Sequence, residues 1–171
     1  GADPDIIVAP YSGMEKKEYD RLSEIAPTIP FKDIAWKTTW REQLIEAAEA
    51  VGRKAEGEKI VADTDTFIKE TMAKYPELAG KSAALCYISA ADLSNFSVYR
   101  TIDPRAGYLV DMGFRFPEKV EEQATDRNSF YVQISSELAV ETLSDLDIII
   151  TYGDDKTFDA IKNDAIFSKI P

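Results

Sequence analysis

The apolar and small positions between Lys54 and Tyr75 recur with the spacing of one helical face, and charged residues fill the positions between them. No glycine or proline interrupts the run from Gly57 to Pro76, so the pattern predicts one continuous helix. A helix of roughly 20 residues is about 30 Å long and can be a core element or a bridge between two lobes. Its apolar face would be formed by Ile60, Val61, Thr64, Phe67, Ile68, Thr71, Met72 and Tyr75.

Short apolar runs before this helix predict strands. DIIV at positions 5–8 and TIPF at positions 28–31 have the length and apolar character of short buried strands. Helical patterns follow both runs. The second is capped by Thr38 or Thr39, of which Thr39 has Glu42 in capping-box spacing, and it stops at Gly52. This order is typical of an α/β lobe, although two strands are too few for a complete sheet.

Strand and helix patterns alternate in the rest of the chain, with short connections. The polar segment 89–95 predicts a loop, and Asp103 followed by Pro104 predicts a helix start. Four apolar runs predict strands, at positions 82–88, 96–99, 130–134 and 147–151. The alternation predicts an α/β fold, a three-layer sandwich with a mostly parallel sheet, to which the long helix is connected.

The predicted domain organisation has three parts. Residues 1–53 are the tail of an N-terminal α/β lobe, residues 54–79 are a long interlobe helix and linker, and residues 80–171 are a C-terminal α/β lobe whose last part is missing. A buried-strand pattern lies only a few residues from the first residue, and the chain ends as abruptly. We therefore expect a truncated fragment of a longer protein, in which case a missing signal peptide says nothing about the compartment.

Composition narrows the possible functions. The net charge of −11 argues against nucleic acid as a partner, and the acidity is concentrated in residues 116–171, which hold 12 acidic and 5 basic residues. Because the chain has no histidine, histidine-based triads, histidine general bases and most zinc sites are excluded. Cys86 is the single cysteine, lies in the apolar run AALCYI, and is expected to be a buried small residue.

The sequence carries no enzyme signature. It contains neither of the glycine-rich phosphate-binding patterns nor the GxSxG nucleophile turn, and the serine of PYSG has no histidine to activate it. The pair Asp154 and Asp155 offers oxygen ligands for a divalent cation, but such a pair more often caps the next helix. We therefore predict no catalytic residue and no metal site.

An ordered set of segments covers nearly the whole chain: PDIIVAPYSG, LSEIAPTI, W-x-x-x-W, REQLIEAAEAVGRKAEGEKIVAD, ADLSNFSVY, DPRAGYLVDMGF and SSELAVETLSDLDIIITYG. Together they resemble the extracytoplasmic binding proteins of iron–siderophore ABC importers. The resemblance implies two α/β lobes joined by one long helix, a ligand in the cleft between the lobes, and docking on a membrane permease. It also implies a location in the periplasm or on the cell surface, a lipid anchor in the full-length protein, an Fe(III)–siderophore complex as ligand, and no cofactor.

Given this resemblance, ligand-binding residues are expected where strands end, since ligands of open α/β sheets lie beyond the carboxyl ends of the strands. A ferric siderophore is bulky and often aromatic or anionic, so its recognition requires aromatic faces and cationic donors rather than a general base. For the aromatics the alternative is ordinary packing, and for Arg100 it is a salt bridge; Arg105 is expected to pair with a nearby acid. The candidates are Tyr11, Ser12, Trp36, Asn95, Tyr99, Arg100 and Tyr152.

Glu137 is the candidate for permease docking, because the resemblance implies a glutamate near the start of this second-lobe helix. Its alternative role is to favour a helix N-terminus through the dipole. Three functions remain open. The first is capture of a ferric siderophore, whether hydroxamate, catecholate or mixed. The second is a related importer protein for cobalamin or haem, and the third is a non-transport module whose acidic surface docks a basic partner.

Overall fold

The computed structural model describes residues 1–170, and within it the chain divides into two units whose sequence boundary lies between Glu70 and Thr71. In the first unit, the two short strands pair in parallel, with Ile7 opposite Thr28. In chain order this unit contains strand β1 (Ile7–Val8), helix α1 (Lys16–Ser23), strand β2 (Thr28–Ile29), helix α2 (Trp40–Ala50) and nearly all of helix α3 (Lys54–Met72).

Two local features determine where α2 starts and how closely α2 and α3 pack in the first unit. Thr39 and Glu42 form the predicted capping box, in which the Thr39 side chain accepts from the Glu42 amide and the Glu42 side chain accepts from the Thr39 amide. Gly57 lets α2 and α3 approach closely, because a Cβ there would lie 2.5 Å from the Cβ of Ala48. Within the 19-residue helix α3, Gly57 and Ile68 are buried. Its role as an interlobe helix, and the three-part domain division, stay predictions.

The second unit carries a four-stranded sheet with the order β5-β4-β3-β6. Short 3₁₀ turns lie at Pro76–Leu78 and Phe167–Lys169. The remaining elements, in chain order, are β3 (Ala83–Ser89), β4 (Asp92–Tyr99), α4 (Pro104–Asp111), α5 (Glu118–Glu122), β5 (Tyr131–Ser135), α6 (Ser136–Thr142), β6 (Ile148–Thr151) and α7 (Asp155–Asn163).

The predicted α/β class is confirmed, and the sheet is mixed in strand direction. Strands β3 and β6 are parallel, as expected, whereas β4 is antiparallel to both β3 and β5. The segment 89–95, expected to be a loop, is largely strand, because β4 already starts at Asp92. Only Ala90 and Ala91 connect it to β3, and so short a connection can join antiparallel strands only.

Side chains from the two faces of this sheet enter two apolar cores. Alternate residues of β3 divide between them: Cys86 packs with Val98 and Leu143 in the larger core, while Leu85 packs with Leu109 of α4 in the smaller. Helices α5 and α6 contribute to the larger core, so helical segments lie on both faces of the sheet, as a three-layer sandwich requires. Within residues 1–170, no helix combines the length and apolar character needed to cross a bilayer.

Candidate functional site

Three aromatic side chains meet in the second unit, and we refer to Tyr99, Phe130 and Tyr152 as the aromatic patch. Tyr99 ends β4, Phe130 immediately precedes β5, and Tyr152 immediately follows β6. The ring centroids of Tyr99 and Phe130 lie 6.2 Å apart and nearly parallel, and those of Tyr99 and Tyr152 lie 6.5 Å apart and nearly perpendicular. Such arrangements are typical of attractive aromatic pairs. The fold therefore brings together two predicted site residues, Tyr99 and Tyr152.

Arg105 is the cation of this patch. Its guanidinium carbon lies 4.3 Å from the centroid of the Tyr99 ring, and its Nη1 lies 3.4 Å from the hydroxyl oxygen of Tyr152. Burial raises the pKa of the Tyr99 phenol, so that hydroxyl stays protonated at neutral pH and is able to donate a hydrogen bond. The patch thus combines flat apolar faces with charged and neutral donors.

A fully buried carboxylate fixes the orientation of Arg105. Asp103 is the N-cap of α4, and its Oδ1 accepts from the backbone amide of Arg105 at 2.8 Å and from Nε at 2.9 Å. Its Oδ2 accepts from Nη2 at 2.7 Å. Arg105 is therefore paired with a nearby acid, as expected from its position. We call this pair the Asp103–Arg105 clamp. Since two of its bonds are parallel and charge-assisted, the clamp restricts the guanidinium to one orientation.

Arg100 is buried within the second unit. The residue is only 7% exposed, and its Nε and Nη2 donate to Glu121 Oε2 at 3.0 and 2.8 Å. Its Nη1 also donates to three backbone carbonyls in the segment 126–129. A ligand contact through this guanidinium would have to replace one of those bonds. The predicted role of Arg100 in direct ligand binding stays a prediction, and these contacts count against it.

Asn95 lies on β4, exposed to solvent, and its Nδ2 donates to Ser94 Oγ at 3.1 Å. It occupies the same sheet face as Tyr99, because side chains four residues apart in a strand point the same way. At 3.3 Å per residue the two Cα atoms lie about 13 Å apart. Asn95 is thus separate from the aromatic patch, and its predicted contact with a ligand carbonyl stays a prediction.

The other predicted ligand contacts converge in the first unit. The rings of Tyr11 and Trp36 meet edge to face, with centroids 5.2 Å apart. The backbone amide of Trp36 donates to the carbonyl of Ser12 at 3.1 Å, and the Ser12 hydroxyl donates to the carbonyl of Ala9 at 2.9 Å. Gly13 allows this approach, because a Cβ there would lie 2.6 Å from the indole nitrogen of Trp36.

The backbone of Trp36 is held in an uncommon conformation. Its φ of +63° is a left-handed value that costs a non-glycine residue energy and that clusters at functional sites. Trp36 borders a cleft of about 870 Å³ within the first unit, which Met14, Leu22 and Ile25 also line. The Trp36 side chain is therefore accessible, and the assignment of Tyr11, Ser12 and Trp36 to ligand binding stays a prediction.

Two further predictions concern carboxylates. Glu137 is exposed in the first turn of α6, a position compatible with permease docking and with the helix dipole, so its role stays a prediction. Asp154 caps α7, since its Oδ1 accepts from the Thr157 amide at 3.0 Å. Among residues 1–170, no group of three or more acidic or cysteine side chains is arranged to hold a metal ion.

Three residues of the patch and its clamp, Asp103, Arg105 and Phe130, are not among the ligand-binding candidates that the sequence predicts. The sequence predicts only a helix cap at Asp103 and only an acid partner for Arg105. It predicts only a strand at Phe130. The signal that could identify them is the short spacing from Tyr99 to Arg105. Only five residues separate the end of the predicted strand from Arg105, so the first turn of the following helix stays close to Tyr99.

The comparisons with known proteins place the chain in a family. It matches the family described as periplasmic binding protein over residues 1–171, and it belongs to that family. The family consists of solute-binding proteins rather than enzymes. The Streptococcus pneumoniae TIGR4 iron uptake ABC transporter substrate-binding protein PiaA, in complex with ferrichrome, is 41% identical, with a TM-score of 0.87 over 98% of this chain and 56% of that chain.

Two further comparisons agree. The structure of PiaA described without ferrichrome gives a TM-score of 0.84 at 41% identity, over 98% of this chain and 57% of that chain. A curated relative, the probable siderophore-binding lipoprotein YfiY of Bacillus subtilis (strain 168), is 27% identical over 151 residues, which are 87% of this chain and 43% of the relative. The chain thus spans about half the length of the relatives it matches.

Proposed function

We propose that this chain is part of the substrate-binding component of an ABC importer, which captures a ferric siderophore outside the cytoplasm and delivers it to a membrane permease. The observation that carries the proposal is the Asp103–Arg105 clamp against the aromatic patch. Family membership and the 41% identity with a protein solved in complex with ferrichrome support it. Ligand binding would then need no cofactor, since the iron enters as part of the cargo.

The chemistry of the patch suits an iron complex whose outer surface carries oxygen atoms and apolar carbon. Tyr99 and Phe130 present ring faces against which such a complex can pack. Arg105 is 39% exposed, and its planar guanidinium, already oriented by Asp103, can donate to iron-bound oxygens with little further loss of side-chain entropy. Tyr152, 48% exposed, adds a hydroxyl beside it.

Charge favours one class of cargo. Asp103 compensates the charge of Arg105 within the clamp, so this pair contributes no net charge to the patch. Transferring a triply anionic ferric tricatecholate from water to such a surface would cost desolvation energy without a compensating cation. An uncharged ferric trihydroxamate avoids that cost, and ferrichrome, the ligand of the S. pneumoniae relative, belongs to that class. We therefore propose a ferric trihydroxamate as cargo.

Delivery to a permease requires a contact surface. We propose Glu137 for this contact, because it is exposed in the first turn of α6 beside the exposed Leu138. Glu137→Ala in the full-length protein should reduce iron uptake by cells and leave ferrichrome affinity unchanged. Loss of both uptake and affinity would point instead to a role in folding.

The cargo is tested by titrating the full-length protein with ferrichrome and, separately, with ferric enterobactin as the tricatecholate. Trp36 is 39% exposed, and ferric complexes quench indole fluorescence, so saturable quenching by submicromolar ferrichrome is expected. Arg105→Lys should weaken ferrichrome binding about tenfold, since an ammonium cannot reproduce the planar fork. Arg115→Lys is the matched control, because Arg115 is exposed and donates to the carbonyl of Gly80.

Three results would contradict the proposal. Equal ferrichrome affinities of the Arg105→Lys and Arg115→Lys variants would show that the Asp103–Arg105 clamp is not part of the binding site. Tighter binding of the tricatecholate would overturn the charge argument. A folded protein that responds to haem or cobalamin but to neither siderophore would assign the chain to a different cargo.

A further inference from the structure

We infer that Arg100 is a positioning residue: it fixes the 124–130 loop so that Phe130 stays stacked on Tyr99, and it acts on the ligand only through that ring. The 124–130 loop is the segment between α5, whose C-cap is Gln123, and β5, which begins at Tyr131. The effect on affinity rests on the proposed function, whereas the effect on the loop itself does not.

The contacts of Arg100 converge on this loop. Nη1 donates to the carbonyls of Asp126 at 3.0 Å, Arg127 at 3.2 Å and Ser129 at 2.8 Å. The backbone amide of Arg100 donates to the carbonyl of Phe130 at 2.9 Å. One residue thus binds four carbonyl oxygens of the loop, at both ends of the turn that precedes the patch.

Glu121 completes the arrangement. Its Oε2 accepts from both Nε and Nη2 of Arg100, so the carboxylate compensates the buried charge and orients the guanidinium toward the loop. Glu121 belongs to α5, whose Val120 is fully buried in the larger apolar core. Arg100 is therefore anchored to a rigid part of the unit, and the loop is bound to that anchor.

At its ends, the loop is held by packing of Ala124 against the larger apolar core and by the bond from the backbone amide of Arg100 to the Phe130 carbonyl, but its middle has little besides the Arg100 side chain to hold it. Residues 125–129 read TDRNS and contain no apolar side chain, so they cannot contribute to a core. The remaining bonds described for this segment are local, such as Asn128 N to Asp126 Oδ1 and the Ser129 hydroxyl to the carbonyl of Tyr131. Without the guanidinium, the carbonyls of Asp126, Arg127 and Ser129 would lose this donor, and the turn would become more mobile.

The position of Phe130 depends directly on this turn. Its ring stacks on the Tyr99 ring, with centroids 6.2 Å apart, and meets the Tyr131 ring, with centroids 5.1 Å apart. Its carbonyl accepts from the backbone amide of Arg100. Tyr99 in turn lies under the Arg105 guanidinium. A shift of the loop would thus change the surface on which a ligand rests, although Arg100 itself is only 7% exposed.

A double-mutant cycle on the full-length protein separates positioning from direct contact. Arg100→Met and Phe130→Ala should each weaken ferrichrome binding about tenfold. The double variant should be no weaker than the worse single variant, because Phe130→Ala removes the ring that Arg100→Met would leave out of position. Arg115→Met is the control and should leave affinity unchanged. Losses that multiply in the double variant would overturn the inference and favour direct contact by Arg100.

Hydrogen exchange of the unliganded protein supplies a readout that needs no ligand. In Arg100→Met, amides of residues 124–130 should exchange at least tenfold faster, while those of β3 and β6 keep their protection. Unchanged exchange in the loop, or faster exchange throughout the second unit, would overturn the positioning role. If Arg100→Met does not fold, Arg100→Lys, which retains the charge but not the fork, takes its place in both measurements.

The two proposals fail in different ways. A wild-type protein that does not bind ferrichrome would overturn the proposed cargo, and loop exchange in Arg100→Met would still decide the positioning role. A wild-type protein that binds ferrichrome, with an Arg100→Met variant matching it in both affinity and loop exchange, would overturn positioning alone.

Discussion

Replacing Asp103 by asparagine tests the clamp with a change of very few atoms. The side chain of Asp103 is fully buried and accepts three hydrogen bonds from Arg105, two at Oδ1 and one at Oδ2. Asparagine is as good an N-cap as aspartate, so the helix start of α4 survives. The variant loses the charge-assisted bond from Arg105 Nη2 to Oδ2 of residue 103, because the asparagine NH₂ at that position is itself a donor.

The size of the loss follows from these contacts. A hydrogen bond to a charged group contributes about 1.5–3 kcal/mol, and the partial exposure of Arg105 lets water compensate a part, which leaves roughly 1–2 kcal/mol of destabilisation. A guanidinium no longer held by a carboxylate must also be immobilised when ligand binds. That cost of about 0.5–1.5 kcal/mol corresponds to a roughly two- to tenfold loss of ferrichrome affinity.

The assay combines urea unfolding with siderophore titration of the full-length protein. With a slope of about 2 kcal/mol per molar urea, the midpoint should fall by roughly 0.5–1 M. The variant also removes the Asp103 carboxylate that compensates the charge of Arg105, so its affinity for ferric enterobactin should rise relative to its affinity for ferrichrome. Asp154→Asn is the matched control: Asp154 caps α7 without an arginine partner, so a clearly smaller effect is expected. An Asp103→Asn protein with wild-type midpoint and unchanged selectivity would refute the reasoning.

Two further predictions concern titratable groups outside the patch. Hydrogen bonds from the Lys81 ammonium, the Ser82 amide and the Ser82 hydroxyl hold the pKa of Asp147 well below its usual range. Its stabilising contribution is therefore fully present above the unfolded pKa of about 4 and is lost progressively as pH falls from there through the lower folded-state pKa, so unfolding curves of Asp147→Asn should show a deficit at pH 7 that narrows below about pH 4. Burial raises the pKa of the Cys86 thiol to about 12, so the native protein should not react with a thiol reagent at pH 8, and it should react once urea unfolds it; rapid native labelling would contradict the buried position.

Much of the α/β organisation could be predicted from local pattern, because its strands are short apolar runs bounded by breakers. Ala83–Ser89 is buried at five of its seven positions and Ile148–Thr151 is half-buried throughout, and such continuous apolar runs are visible in a sequence. The first half of β4 was missed for the opposite reason. Asp92, Ser94 and Asn95 are solvent-exposed, so their polarity hid a strand that is fixed by pairing with its neighbours.

Residue types in the candidate site were easier to predict than their roles. Aromatic and cationic chemistry near Tyr99 and Tyr152 could be expected from strand ends, and the structure brings these two rings together. The pairing of Arg105 with a nearby acid could be expected, whereas the partners of Arg100 could not, because Glu121 and the carbonyls of the 124–130 loop come close to it only in the folded unit. Contacts that join residues more than 20 positions apart have no local signature.

The different proposed roles of Arg100 and Arg105 nevertheless follow from strand geometry. Side chains alternate between the faces of a strand, so Tyr99 and Arg100 point in opposite directions. Tyr99 packs on the face that carries the smaller core, and Arg100 therefore points toward α5 on the face of the larger core, where Glu121 accepts its bonds. If Tyr99 contacts the ligand, the adjacent arginine cannot reach it from the same strand. A cation on the Tyr99 face must come from another element, and α4 supplies it at Arg105, whose guanidinium lies over the Tyr99 ring.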